Sequence, residues 1–205
     1  MKKKGMFMGI IVIAIIAIAF IGYNIYRYPA TFRHLSDRSL DETQTEDLRQ
    51  QVMKKADKKI LIAYFSYSGT TKNAAENISQ KLGGDLFEIT PKKEYSNVYT
   101  QSNSEIRRNE RPELLSEVGN MEQYDIVFVG YPVWWHATPA VINSFLESYD
   151  LSGKLIIPFC TSGGSDIDET MSTFLDSCEG LAVYGEQCIN SVSDIDNWLK
   201  ELGLN

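Results

Sequence analysis

Ile60-Leu61-Ile62-Ala63-Tyr64-Phe65-Ser66-Tyr67-Ser68-Gly69-Thr70-Thr71 is the stretch on which the fold turns. Six continuous apolar residues suit a parallel strand covered on both faces, where water reaches neither side. A short, hydroxyl-rich loop with one glycine follows. It runs directly into a helical pattern in which Ala75, Ile78 and Leu82 share a face. Gly83-Gly84 stops that helix, and Leu86-Phe87-Glu88-Ile89 reads as a second strand before Pro91.

The alternation continues outward. Residues 92–123 are harder to read: Tyr95, Tyr99 and Ile106 hint at a helix that Arg111-Pro112 breaks. Asp125-Ile126-Val127-Phe128-Val129-Gly130 is the third strand. Thr138-Pro139 looks like a helix cap with its proline, and Val141, Ile142, Phe145 and Leu146 give that helix a buried stripe. The fourth strand, residues 155–160, contains Pro158, an awkward residue for a central strand. Ser165 or Asp166 is the expected cap of the next helix, with Met171, Phe174, Leu175 and Cys178 on one side. A short strand near residues 181–184 and a last helix bearing Ile195, Trp198, Leu199 and Leu202 complete the pattern. Strand–helix alternation of this kind predicts an α/β fold, a doubly wound five-stranded parallel sheet in a three-layer sandwich. Its ligand crevice is expected beyond the carboxyl ends of the strands, where the strand order reverses.

Before residue 59 the chain changes character. Residues 1–4 form a basic tail, and residues 5–26 carry no charge. Twenty-two helical residues span about 33 Å, enough for a bilayer core of about 30 Å. A single-pass membrane anchor is the expectation, and a cleaved signal peptide is the rival, because Ala17-Ile18-Ala19 fits a small-x-small site. Lys2, Lys3 and Lys4 argue for an inside amino terminus, but Arg27, Arg33 and Arg38 nearly cancel that bias. The side of the membrane therefore stays open. Residues 27–58 read as a polar tether with a short helix between Asp41 and Lys55, in which Leu48 and Val52 are an i,i+4 apolar pair.

Charge narrows the function. Residues 1–59 carry 11 Lys+Arg against 6 Asp+Glu, whereas residues 60–205 carry 9 against 21. A domain with a net charge of −12 repels phosphate backbones, which excludes nucleic acid as an expected partner. The same surface suits a partner protein with a basic docking face. Cys160, Cys178 and Cys188 lack CxxC spacing, so they suggest neither a disulfide framework nor a metal centre, and no metal site is expected.

Three loops at the carboxyl edge carry the chemistry. In residues 66–71, successive backbone amides, a helix start and Ser and Thr hydroxyls can surround a phosphate without a cation. The loop lacks Gly-Lys-Ser/Thr and GxGxxG, so it is neither a Walker loop nor a dinucleotide fingerprint. Tyr131-Pro132-Val133-Trp134-Trp135-His136 places two tryptophans just past a strand end, and adjacent side chains there point in different directions. An aromatic wall suits a flat ring. Thr161-Ser162-Gly163-Gly164 lets backbone approach a ligand closely. Each loop alone also reads as an ordinary capped turn, with one tryptophan in the core.

Together, Ser66-Tyr67-Ser68-Gly69-Thr70-Thr71, Gly130-Tyr131-Pro132-Val133-Trp134-Trp135 and Phe159-Cys160-Thr161-Ser162-Gly163-Gly164 resemble the flavodoxin superfamily. More narrowly, they resemble bacterial flavodoxin-like proteins with a Gly-Tyr-Pro-x-Trp-Trp loop. Pro91 to Tyr95 and Arg111-Pro112-Glu113 also look familial, so the likeness covers roughly residues 59–204. It implies a flavodoxin-like FMN-binding domain over residues 59–205. Ser66, Ser68, Gly69, Thr70 and Thr71 would hold the FMN phosphate. Pro132, Trp134 and Trp135 would line one side of the ring, and Thr161, Ser162, Gly163 and Gly164 would meet its edge. Tyr67 and His136 could contact the ring edge or a substrate. Family members often have Asn at position 70 and Gly at position 136. The resemblance implies an electron carrier between redox partners. An NAD(P)H-dependent FMN-containing quinone or flavin reductase, or a redox-inactive membrane-bound flavin-binding or scaffold protein, are the alternatives. Neither Cys-x5-Arg nor a paired-Asp arrangement accompanies the phosphate loop, which argues against a phosphatase.

Overall fold

The structure is a computed structural model describing residues 2–31, 33, 35 and 37–204, with no side-chain description for residues 2–8. Helix α1 (Lys2–Arg27) begins within the basic tail and runs through the whole apolar stretch. From Gly9 to Arg27 it is long and apolar enough to cross a membrane, with a mean hydropathy of 2.3 and none of it buried in the protein. Helix α2 (Glu42–Met53) follows, closed at its start by a capping box between Asp41 and Gln44.

The domain then alternates strand and helix: β1 (Ile60–Tyr64), α3 (Thr70–Leu82), β2 (Asp85–Glu88), α4 (Val98–Arg108), β3 (Ile126–Pro132), α5 (Ala140–Glu147), β4 (Leu155–Thr161), α6 (Asp168–Leu175), β5 (Ala182–Val183), β6 (Gln187–Cys188) and α7 (Val192–Glu201). The sheet is parallel in the order β2-β1-β3-β4-β5, with β6 also paired to β4. Strand alternation divides the core into two layers. Leu61, Ala63, Phe65, Val127, Val129, Tyr131, Ile156 and Cys160 face one cluster with Val141, Phe145 and Phe174 of α5 and α6. Ile60, Ile62, Tyr64, Ile126, Phe128, Leu155, Ile157 and Phe159 face the other, with Ile78 of α3 and Trp198 of α7. An α/β sandwich of three layers results.

The expected parallel sheet is present, with a more divided edge than the sequence suggested, and two expected helix caps need correction. The fifth strand is two short pieces, β5 and β6, separated by residues 184–186 with Gly185 at φ 66°. That break explains Pro158. The hydrogen bonds from Leu155 to Asp125 and from Tyr184 to Ile156 show that odd residues of β4 address β3 and even residues address the edge. Pro158, which has no N–H, therefore faces the gap between β5 and β6, where no ladder donor is needed. Thr138 is not a helix cap: Pro139 occupies that position, and Thr138 bonds Thr173 Oγ1 and the Thr170 carbonyl of α6. Nor does Ser165 or Asp166 cap α6, which begins at Asp168 after Ile167 without a side-chain cap.

The stretch before the domain is more engaged than a tether. Val52 is buried against the same core layer as α3 and α7, with Leu48 packed beside it. Leu40 N donates to Leu181 O at 2.9 Å, Gly180 N to Arg38 O at 2.8 Å, and Arg33 pairs with Asp176 at 2.6 Å.

Candidate functional site

The strand order reverses between β1 and β3, and the three loops leave the carboxyl edge of the sheet at β1, β3 and β4. The first is built around Gly69. Its φ of 91° lies in the left-handed region, and it heads α3 without any side-chain cap, unlike Asp41, Asn97 and Ser191 at α2, α4 and α7. The first-turn amides of α3 are therefore left facing outward. Gly69 N donates to Ser66 Oγ at 3.1 Å, which curls the loop, and Ser68 Oγ lies 3.2 Å from Thr70 Oγ1. Ser68 and Thr70 are exposed. Lys72 lies 3.5 Å from Glu88, an exposed pair, so a cation stands near but is shared.

Thr71 has a different position. It is buried, and its hydroxyl meets that of buried Thr161 at 2.8 Å. Thr161 O also accepts from Val133 N at 3.0 Å. The end of β4 thus joins the first loop to the second, and Thr161 is the point where all three loops meet.

In the second loop the two tryptophans do diverge. Trp134 turns toward the β1 loop, with T-shaped contacts to Phe65 at 5.2 Å, Tyr67 at 5.9 Å and Tyr95 at 5.4 Å. Tyr95 donates to Glu105 at 2.9 Å; burial, then the carboxylate beside it, push the Tyr95 hydroxyl far up. Burial likewise raises Glu105. Trp135 turns to α4, its Nε1 donating to Ser102 Oγ at 2.9 Å. A cavity of about 220 Å³ lies between α4 and this loop, lined by Val98, Tyr99, Ser102, Val133, Trp134 and Trp135. Pro132 is half-buried at the end of β3. Both ring nitrogens of His136 are engaged: Nδ1 with Glu169 and Nε2 as acceptor from Arg27 Nε at 2.8 Å. The bond to His136 holds the Glu169 carboxyl below its usual range.

The third loop is a hydroxyl turn. Ser162 Oγ accepts from Gly164 N at 3.2 Å and Ser165 N at 2.8 Å. Gly163 and Gly164 are exposed, and an added Cβ at either would meet no atom within 4 Å. A flat ligand can approach this backbone from outside. Uncapped amides, hydroxyls, an aromatic wall and open glycines form the donor set that a phosphorylated planar ring requires.

Phe65, Tyr95, Ser102 and Glu169 contact the Trp134–His136 loop and were not among the residues expected at the candidate site. Tyr95 had a signal in the Pro91–Tyr95 motif. Phe65 directly precedes the first loop, whereas Ser102 and Glu169 lie in elements whose approach only the folded chain reveals.

The flavodoxin family model matches residues 59–202. Among solved structures, a candidate flavoprotein from Bacteroides eggerthii is 36% identical, with a TM-score of 0.67, over 73% of this chain and 100% of its own. Another from Bacteroides uniformis is 34% identical, with a TM-score of 0.66, over 70% and 98%. A flavoprotein from Lactobacillus acidophilus, solved in complex with FMN, is 28% identical, with a TM-score of 0.59, over 69% and 98%. No curated protein matches the sequence.

Proposed function

This chain belongs to the flavodoxin family, and from that premise we propose that it holds FMN noncovalently at the β1–β3 crevice and carries electrons between redox partners while α1 anchors it in a membrane. The observation that carries this reading is the convergence at Thr161, which joins an uncapped helix start to an aromatic wall. The FMN complex of the Lactobacillus acidophilus relative supports the choice of cofactor.

The residues divide the work. Ser66, Ser68, Gly69 and Thr70, with the first amides of α3, would surround the phosphate; the partial positive charge of the helix start stabilises the dianion. Thr71, whose hydroxyl is shared with Thr161, would offer the phosphate its amide. Pro132, Trp134 and Trp135 would form the ring wall, and the backbone of residues 161–164 would approach the ring edge, where its amides favour or oppose charge. Tyr67, exposed beside Trp134, would border the entrance. Bound FMN supplies the one- and two-electron chemistry. The protein holds and orients it, and needs no nucleophile of its own. The acidic domain would orient a partner with a basic docking face.

The test is to purify the full chain in detergent, add FMN, and follow binding by flavin fluorescence. The holoprotein is then titrated anaerobically with NADPH and NADH. FMN retained and left oxidised by both nucleotides supports the carrier. Rapid bleaching by either moves the assignment to a reductase, and failure to bind FMN refutes the reading.

A further inference from the structure

The turn that carries the ring wall is strained. Trp134 N donates to Ala137 O at 3.2 Å and Ala137 N to Trp134 O at 2.9 Å, closing a two-residue turn. Its central residues, Trp135 and His136, have φ of 56° and 57°. Such turns favour Asn-Gly, because side chains with a Cβ crowd the backbone at positive φ. A tryptophan followed by a histidine holds this shape only if surrounding contacts impose it.

The end of α1 supplies those contacts. Tyr26 meets Trp135 edge-on at 5.0 Å, Tyr28 stacks on His136 at 4.5 Å with 30° between the planes, and Arg27 donates to His136 Nε2. Glu169 holds the other ring nitrogen. The helix end is itself seated on α4. A helix leaves its last carbonyls without backbone partners. Here buried Asn103 donates to Tyr26 O at 2.7 Å and Arg107 to Ile25 O at 3.1 Å. Ser102, one residue before Asn103, receives the Trp135 indole N–H. One face of α4 thus grips both the strained turn and the residues that press on it.

We propose that Tyr26, Arg27 and Tyr28 are positioning residues of the flavin site: the end of the anchor helix clamps the Trp135–His136 turn into the shape that forms the ring wall. The apolar helix is then a working part of the cofactor site as well as an attachment. The cleft is also held at the point where the chain leaves the apolar helix. The consequence for FMN rests on the reading given under Proposed function; the clamp on the turn does not.

The experiment uses the full chain in detergent micelles with Tyr26→Ala, Tyr28→Ala and Tyr28→Phe. Tyr26 and Tyr28 are 45% and 39% exposed, so neither truncation removes core. Two quantities are measured: hydrogen exchange at the Trp134 and Ala137 amides without FMN, and the FMN dissociation constant. If the turn keeps its competent shape only about a tenth of the time once unclamped, the dissociation constant rises about tenfold and exchange at the two amides approaches that of an unprotected amide. Tyr28→Phe keeps the stacked ring and stays within about twofold of the parent. Exchange at the Val127 and Val129 amides is expected to remain unchanged, which separates local opening from loss of the fold. Unchanged exchange at Trp134 and Ala137 in both alanine variants overturns the clamp. A parent chain that takes up no FMN refutes the flavin reading instead, and the exchange rates still decide the clamp.

Discussion

Replacing Thr161 with valine should destabilise the domain more than replacing Thr161 and Thr71 together. The two hydroxyls meet at 2.8 Å, with Thr71 only 1% exposed and Thr161 5%. Valine has nearly the shape of threonine, so packing changes little and the effect falls on the hydrogen bond. In Thr161→Val, the Thr71 hydroxyl is left buried without its partner, at a cost of about 1–3 kcal/mol. For a domain of this size, about 2 kcal/mol lowers Tm by roughly 4–8 °C. The double variant removes both polar groups and should return to within about 1 kcal/mol of the parent. Near-ultraviolet circular dichroism of the tryptophans during heating reads the tertiary melt, and Thr71→Val completes the cycle. A double variant destabilised by the full sum of the singles would falsify the claim that the hydroxyls satisfy each other. FMN affinity in the same variants is a separate readout. If the loops are joined through this pair, Thr161→Val also weakens FMN binding, because the phosphate loop and the ring wall lose their link.

Gly130 packs against the Phe159 ring so closely that an added Cβ would overlap the ring carbons; Gly130→Ala should cost about 1–3 kcal/mol by overpacking, read as a lower denaturation midpoint. Trp134→Ala removes the wall and its three edge contacts with Phe65, Tyr67 and Tyr95; about 3 kcal/mol of stability and most of the quenching of added FMN should disappear, and full quenching would rule Trp134 out of the wall. Burial works to raise the Glu147 carboxyl, but bonds from Arg111 and Ser177 outweigh it and the net shift is downward. Its contribution is therefore present above the unfolded value and lost as pH falls through the lower folded one, so Glu147→Gln should flatten the acid limb of stability below about pH 4.5. Val52→Ala should lower Tm by removing about 2 kcal/mol of packing between α2 and the sheet, whereas a freely hanging tether would show no change.

The architecture was legible because it rests on local periodicity. Unbroken apolar runs at residues 60–65 and 126–129, each bounded by turn residues and rich in β-formers, suit central parallel strands. Ala75, Ile78 and Leu82, or Ile195, Trp198 and Leu199, declare a helix face by spacing alone. The three loops could be found because each directly follows a strand. Boundaries governed by long-range bonds were less legible: Thr138 has the local signature of a cap but finds better partners in Thr170 and Thr173, more than 30 residues away.

By itself, the sequence determined the α/β alternation, the apolar amino-terminal helix, the acidic domain and the residue types at the three loops. All of these follow from neighbours a few positions apart. Only the tertiary structure decided how those residues are used. It placed Pro158 opposite a gap in the edge strand, turned Thr71 inward to Thr161, sent Trp134 to Phe65 and Tyr95, and brought Tyr26 and Tyr28 onto the Trp135–His136 turn. Each of these contacts joins elements separated by tens of residues. Spacing along the chain cannot encode them, because the partner of a side chain at a sheet edge is set by strand order and packing.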